Sequence, residues 1–402
     1  MTSAKPPTRS QAQIALCLTA ALFFFFIILS ALIMDPRGFD FSGYYTGGLI
    51  IHQGNASKLY DVGEQARIER QLFHRKEILI NPHPPFEALW FASLARLPYL
   101  QAYILWGAIN VLLWLLSQYL FWRETPIPRN FVHYCLLPLG FFPLWFNLII
   151  GQTSLVLLFL FSTTYFCLKR GKDFGAGVLL GLGLFRFPIV LPFALICFMR
   201  GKWRMMMGFA SAASLLGLLS ILAVGSAGWR AYLSLLLDIL QNPGNPAYIS
   251  LRAWKQMPNL RGLLYAVLGA RWPGLQMGIL AVASISLICL VARRWSQGEQ
   301  RGNSMDLMFA AALTISLVTA PHLYIYDLTL MLLPMLLVMT SIPWREQAVQ
   351  RKSLLTVVAI LSIFPVYLLL LHWHTMYLLA PVLAFFALGA INLAGKSEPF
   401  AT

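Results

Sequence analysis

The sequence predicts an all-α integral membrane protein: one polytopic domain over residues 1–402, built as a bundle of about twelve transmembrane helices with a structured first outer loop. Three observations carry this. Apolar segments of roughly 20 residues, enough to cross a hydrocarbon core about 30 Å thick, recur from Ile14 to Leu393. Hydrophobic residues make up 58% of the chain and charged ones only 11%, against about 25% charged in a soluble domain. The net charge of +15 comes from basic residues in the short connections between those segments. Such charge is read as topology and attraction to anionic membrane lipids, not as a nucleic-acid surface.

Lys5 and Arg9 precede an apolar run, Ile14 to Met34, that is longer than a signal-peptide core and has no small-residue cleavage pattern after it. It is read as an uncleaved first helix with its N-terminus in the cytoplasm. Further basic stretches lie at 123–129, 169–172, 200–204, 293–301 and 344–352. Placing them all in the cytoplasm gives crossings at about 14–34, 100–122, 131–150, 152–168, 174–186, 188–199, 203–224, 272–292, 306–321, 327–343, 353–371 and 376–394, with both termini inside. The crossings 174–186 and 188–199 are too short for full spans and share the break Phe185-Arg186-Phe187-Pro188. Such a break is tolerated where protein covers it or where it lines a cavity. Segment 86–98 is read as an interfacial or half-buried helix.

Two outer loops are long, 35–85 and 225–261. The first is acidic, with Asp35, Asp40, Asp61, Glu64, Glu69 and Glu77, and Glu87 just beyond. Within it, Ile68, Leu72 and Arg75 recur at helical spacing, which predicts a short surface helix over 62–75. Cys17, Cys135, Cys167, Cys197 and Cys289 lie inside apolar segments without a CxxC pair and read as small core residues.

The residues suited to chemistry gather on the predicted outer side. Asp40 stands among aromatics in Gly38-Phe39-Asp40-Phe41-Ser42-Gly43-Tyr44-Tyr45, either as a general base or as a loop carboxylate capping a helix. Tyr60 lies in the stretch 54–61, and His83 lies between prolines in Asn81-Pro82-His83-Pro84-Pro85. Asn147 and Gln152 offer amides for a sugar, or satisfy helix ends at a tight turn. Arg186 sits in an otherwise apolar stretch, a placement costing about 2.5–3.5 kcal/mol, so it faces a cavity or a partner, or snorkels to headgroups. A guanidinium there suits a lipid phosphate. His322 and Asp327 share another outer turn, either as a pair beside a phosphate or with Asp327 capping a helix. The second outer loop adds Arg252, Trp254, Lys255, Gln256, Asn259 and Arg261. No P-loop, GxGxxG, HExxH or multi-cysteine metal motif is present, which argues against ATP or a nucleotide sugar.

Taken in order, these pieces resemble glycosyltransferase family 87, of the GT-C fold. The resemblance is carried by Asp40 with Tyr44-Tyr45, Gly54 with Leu59-Tyr60-Asp61, Pro84-Pro85, Gly151-Gln152, Gly177 to Pro188, and Pro321-His322 to Asp327, over roughly residues 14–345. It implies a polyprenyl-phosphate sugar donor, commonly of mannose, and a lipid or glycan acceptor on the outer leaflet of the cell's inner (plasma) membrane. Asp40 matches the family's base in an inverting transfer. Arg186 stands where the family often has a lysine, and with His322 and Lys255 it is expected to bind the donor phosphate. Tyr44, Tyr45, Tyr60, His83, Asn147, Gln152 and Asp327 are expected at the sugar and acceptor, with no metal and no cofactor. A transporter or lipid flippase is the main rival. A transporter predicts inverted repeats and midplane ionisable residues, neither of which the sequence displays.

Overall fold

The computed structural model describes residues 9–74, 79–124, 138–241, 253–299, 305–341 and 349–395. Lys5, Arg75, Glu77, Cys135, Arg252 and the basic stretches at 125–129, 300–301 and 344–348 lie outside them. The described chain is helical and contains no strand. Five helices are long and apolar enough to cross a membrane, or six if the bent pair 352–361 and 364–372, at 63°, is one span. Four more apolar helices are shorter. The protein is a multi-pass membrane helical bundle, and these spans are counted among the described residues alone.

The helices are α1 (Arg9–Ile33), α2 (Phe41–His52), α3 (Val62–Phe73), α4 (Pro85–Leu94), α5 (Tyr99–Glu124), α6 (Phe142–Ile150), α7 (Ser154–Lys169), α8 (Asp173–Leu182) and α9 (Phe187–Met199). They continue as α10 (Trp203–Gln241), α11 (Leu260–Leu268), α12 (Pro273–Glu299), α13 (Met305–Thr319), α14 (Leu332–Ser341), α15 (Val349–Leu361), α16 (Phe364–His372) and α17 (Leu379–Ala394). Helix α13 is the central post, buried on every side from Leu307 to Thr319, and α9, α12, α14 and α17 pack around it. A helix apolar all round belongs in such a position. The outer helices keep a lipid-facing stripe, as at Leu215, Leu218 and Leu222 of α10 and Val282 and Ile285 of α12.

The 27 residues Asp173–Met199 would suffice in length for one crossing, but the chain doubles back inside them. Helices α8 and α10 run side by side in the same direction: Phe174 lies against Gly208, Gly177 against Met205, and Gly181 against Ala212. The start of α8 is therefore level with the start of α10, which only three residues separate from the end of α9. Asp173 is close enough to Cys197 to act on it electrostatically. So α8 and α9 form a hairpin whose ends share one side, with the 3-10 turn Gly183–Arg186 at its tip. Each arm is about 15–20 Å long, short of a full span. The predicted break at 185–188 is this tip.

The segment between α1 and α5 is folded over its described residues. Asp61 caps α3 by accepting from the amides of Gly63 and Glu64. Its buried face is Gln65, Ala66, Ile68, Glu69 and Phe73, whereas Leu72, in helical spacing with Ile68, is exposed. Helix α2, not anticipated in the sequence, meets α4 so closely that a side chain at Gly48 would lie 2.4 Å from the Phe91 backbone. Small residues permit that approach. The segment expected as a second loop from 225 differs over its described residues. Gly225 takes φ 67°, ψ 177°, which glycine alone accepts readily, and α10 resumes to Gln241 after this kink. The resumed part buries Tyr232 and Leu235 against Ile50, Leu59, Ile68 and Ile80 of the first segment.

Gly177→Val tests the hairpin. A Cβ there would sit 1.8 Å from the Met205 carbonyl oxygen, whereas Gly175 has nothing within 4 Å. Overpacking of this kind costs about 1–3 kcal/mol. Gly177→Val is expected to lower the apparent Tm in detergent by several degrees while Gly175→Val does not, as read by thermal unfolding of purified protein.

Candidate active site

At one end of the bundle lies a chamber of about 830 Å3. It is lined by the segment between α1 and α5, the turn between α6 and α7, the hairpin tip, the turn before α14, and α10 to α12. Its wall has two characters. Asp40, His83, Gln152, Arg186, His322 and Asp327 supply a polar part, and Ile189, Leu236, Ile239, Leu264, Met277 and Leu280 an apolar one.

The turn after α6 sets the polar part. Gly151 ends that helix in the left-handed region, φ 73°, ψ 37°, and a Cβ there would lie 2.7 Å from the Phe41 Cβ. Glycine meets both demands. The amides of Gly151 and Gln152 donate to the Asn147 carbonyl, which aims the Gln152 side chain into the chamber. Gln152 Nε2 donates to Asp40 Oδ2 at 2.6 Å, and Gln152 Oε1 accepts from the Tyr44 hydroxyl at 2.6 Å and from Arg186 Nη2. The partners fix the amide's orientation, its donor facing a carboxylate and its acceptor a guanidinium. One glutamine thus joins Asp40 to Arg186. Asp40 occupies the residue before α2 without capping it through its side chain.

Arg186 is 6% exposed. Its remaining hydrogen bonds also end on neutral oxygens: Nη2 donates to the Tyr44 hydroxyl at 3.0 Å and Nε to Thr153 Oγ1 at 3.2 Å. Asp327 Oδ1 is 4.0 Å from Nε, and the Tyr326 ring lies 5.3 Å from the guanidinium carbon. Asp327 accepts from Ser154 Oγ at 2.9 Å and from the Tyr324 amide at 3.1 Å. It therefore sits in the first turn of the 3-10 helix Ile325–Met331, in a capping box with Tyr324, and leans toward Arg186 and not toward His322. Of the two readings of this turn, Asp327 takes the capping one, and His322 packs edge-on against the Tyr324 ring, centroids 4.8 Å apart.

His322 keeps some accessible surface because it lines a concave wall, yet protein surrounds it. Burial, aided by the positive charges of Arg186 and Arg261, lowers its pKa from 6.5 to about 3. The ring is neutral at physiological pH.

Asp40, Tyr44, His83, Gln152, Arg186, His322 and Asp327 are thus brought together. Four other expected site residues are not on the wall. Tyr45 donates to the Leu97 carbonyl and Tyr60 to that of His83, so both hydroxyls brace the backbone. Asn147 is fully buried and serves through its carbonyl. Lys255 is exposed, because the 3-10 turn Trp254–Gln256 points Trp254 inward and its neighbour out. Arg261 takes the place expected of Lys255: it lines the chamber, lies over the Trp254 ring and donates to the Pro321 carbonyl at 2.9 Å. Thr153, Ser154 and Glu87 had no sequence signal of their own.

A half-open, amphiphilic chamber with a carboxylate and a buried guanidinium on one wall of a membrane helical bundle is the setting of a membrane-embedded group-transfer enzyme. The chain belongs to glycosyltransferase family 87: the model of that family matches residues 81–321, more than half of the chain. It is a membrane glycosyltransferase, with a sugar donor and an acceptor as its substrates. A search of curated proteins and a search of solved structures each found no match. Asp40 lies ahead of the matched span, and His83, Gln152, Arg186 and Arg261 lie within it.

The depressed pKa of His322 has a signed consequence. The unfolded chain takes up a proton below about 6.5 and the folded ring does not, so its contribution to stability is full above that pH and is lost as pH falls toward 3. The Tm of the wild-type protein is expected to fall more steeply between pH 6.5 and 4 than that of His322→Gln. Equal slopes would mean that the ring is solvated.

Proposed function

We propose that this protein transfers a sugar, mannose by the family resemblance, from a polyprenyl phosphate to a lipid or glycan acceptor of the outer leaflet. The observation that carries this reading is the single chamber in which Gln152 ties Asp40 to Arg186. The amphiphilic wall supports a lipid-linked donor: the guanidinium suits the phosphate, and the apolar part, on helices with lipid-facing stripes, suits a prenyl chain.

In this reading the acceptor hydroxyl attacks the anomeric carbon as Asp40 takes its proton. The bond from that carbon to the phosphate oxygen breaks with inversion, and the released phosphate carries the charge toward Arg186. The guanidinium's hydrogen bonds end on neutral oxygens and its closest carboxylate, Asp327, stands 4.0 Å from Nε, so its N–H groups are not tied up by a carboxylate at hydrogen-bond distance. The neutral His322 ring is suited to a hydrogen bond at the same phosphate.

The basic stretches around Lys169 to Lys172 and Arg200 to Arg204 gather at the open end of the α8–α9 hairpin, away from the chamber. Under the positive-inside rule that end is cytoplasmic. The chamber then faces the extracytoplasmic side of the plasma membrane.

Asp40→Asn is expected to lower kcat by about 100- to 10,000-fold in a purified transfer assay with a panel of polyprenyl-phosphate sugars, with the elution profile and Tm unchanged. Full activity of this variant refutes the assigned base. Arg186→Ala is expected to raise KM for the donor roughly tenfold or more, with Arg186→Lys intermediate. A change confined to the acceptor's KM would remove the phosphate role.

A further inference from the structure

Glu87 takes no part in the reaction just described, yet it is a carboxylate 1% exposed beside the chamber. It lies in the first turn of α4, two residues after Pro85, where the helix N-terminus favours negative charge. It is close enough to Arg186, Tyr44 and Tyr60 to act on them electrostatically. One turn earlier His83 places Nδ1 2.8 Å from Oε2, an ion-pair approach outside hydrogen-bond geometry, and no other side chain hydrogen-bonds either Glu87 oxygen among the described residues.

His83 is held to a degree unusual for a loop histidine. Pro82 and Pro84 restrict the backbone on both sides. Its amide donates to Asn81 Oδ1 at 3.1 Å, and its carbonyl accepts from the Tyr60 hydroxyl at 2.6 Å. Its ring lies 5.0 Å from that of Tyr44, whose hydroxyl belongs to the Gln152–Arg186 network. His83 lines the chamber, and with Nδ1 turned to Glu87 its Nε2 lies on the opposite edge of the ring.

We propose that Glu87 is a positioning residue: it holds His83 with the proton on Nδ1, so that Nε2 stands in the chamber as an acceptor for a sugar hydroxyl. The bond made by one ring nitrogen decides which nitrogen carries the proton. A hydroxyl is the neutral donor that this acceptor suits, and it comes either from the transferred sugar or from the acceptor. The sugar role rests on the chamber being the transfer site, whereas the proton's place on His83 does not.

Two measurements separate these. In detergent-solubilised protein labelled with 15N-histidine, the His83 signals are assigned by their loss in His83→Asn. The wild-type ring is expected to be protonated on Nδ1, as in Glu87→Gln, whose amide oxygen still accepts; Glu87→Leu is expected to shift the proton toward Nε2. A wild-type His83 protonated on Nε2 overturns the proposal whether or not Glu87→Leu folds. In the transfer assay, with monodeoxy versions of donor and acceptor, the wild type is expected to use one deoxy compound roughly tenfold less well. His83→Phe is expected to lose that discrimination, and the substrate carrying the critical position identifies the source of the hydroxyl. Glu87→Leu is expected to cost nothing further in the His83→Phe background. Retained discrimination in His83→Phe, or an undiminished cost of Glu87→Leu there, overturns the sugar role. If the wild type transfers nothing from any polyprenyl-phosphate sugar, the donor reading fails and the nitrogen spectra still decide the role of Glu87.

Discussion

A buried guanidinium whose hydrogen bonds end on neutral oxygens is the constraint around which this end of the protein is organised. Removing an arginine from water costs several kcal/mol even after relaxation, so its partners must be complete. For Arg186 they come from distant parts of the chain: Tyr44 on α2, Gln152 and Thr153 between α6 and α7, and Asp327 after α13. The same contacts that satisfy the cation therefore draw four elements together and define the chamber.

Gln152 has the most demanding place in that arrangement. Its amide separates two groups of opposite charge and bonds to both, so neither neutralises the other by direct contact. Its position follows from the left-handed turn at Gly151, where the close approach of Phe41 also leaves no room for a side chain. Backbone conformation, a close packing contact and the polar network thus form one chain of causes. Around it, Tyr45, Tyr60 and the prolines near His83 brace backbone and leave the chemistry to their neighbours. The resumed part of α10 closes the far side by packing on the segment between α1 and α5, which a helix ending at Gly225 would not reach.

Much was legible before any fold was known. Apolar length marked the helices, because a lipid environment demands internal satisfaction of the backbone. An arginine inside an apolar stretch beside a proline marked the hairpin tip, because its cost must be offset by burial in protein. Asp40 and Gln152 were recognisable as polar groups following helix ends, and the order of the motifs carried the family resemblance. What failed did so for identifiable reasons. Tyr45 is adjacent to Tyr44, but neighbours on a helix point about 100° apart, and only one of them reaches the chamber. Lys255 and Arg261 looked equivalent as cations in one loop until a short 3-10 turn separated them. Leu72 fitted a helical stripe, yet α3 buries Gln65 and Glu69 instead, since their side chains bond the backbone of Leu59, Leu79 and Asn81.

By itself, the sequence determined the membrane class, the helical content and the kinds of polar group available, because hydropathy and charge are properties of residues and act over short stretches. The tertiary structure alone decided that residues 173–199 turn back on themselves, that Gln152 links Asp40 to Arg186, and that Glu87 lies under His83. Those are contacts between elements, set by backbone turns at a few glycines and prolines and by the need to satisfy buried polar groups. A linear pattern does not contain such distances.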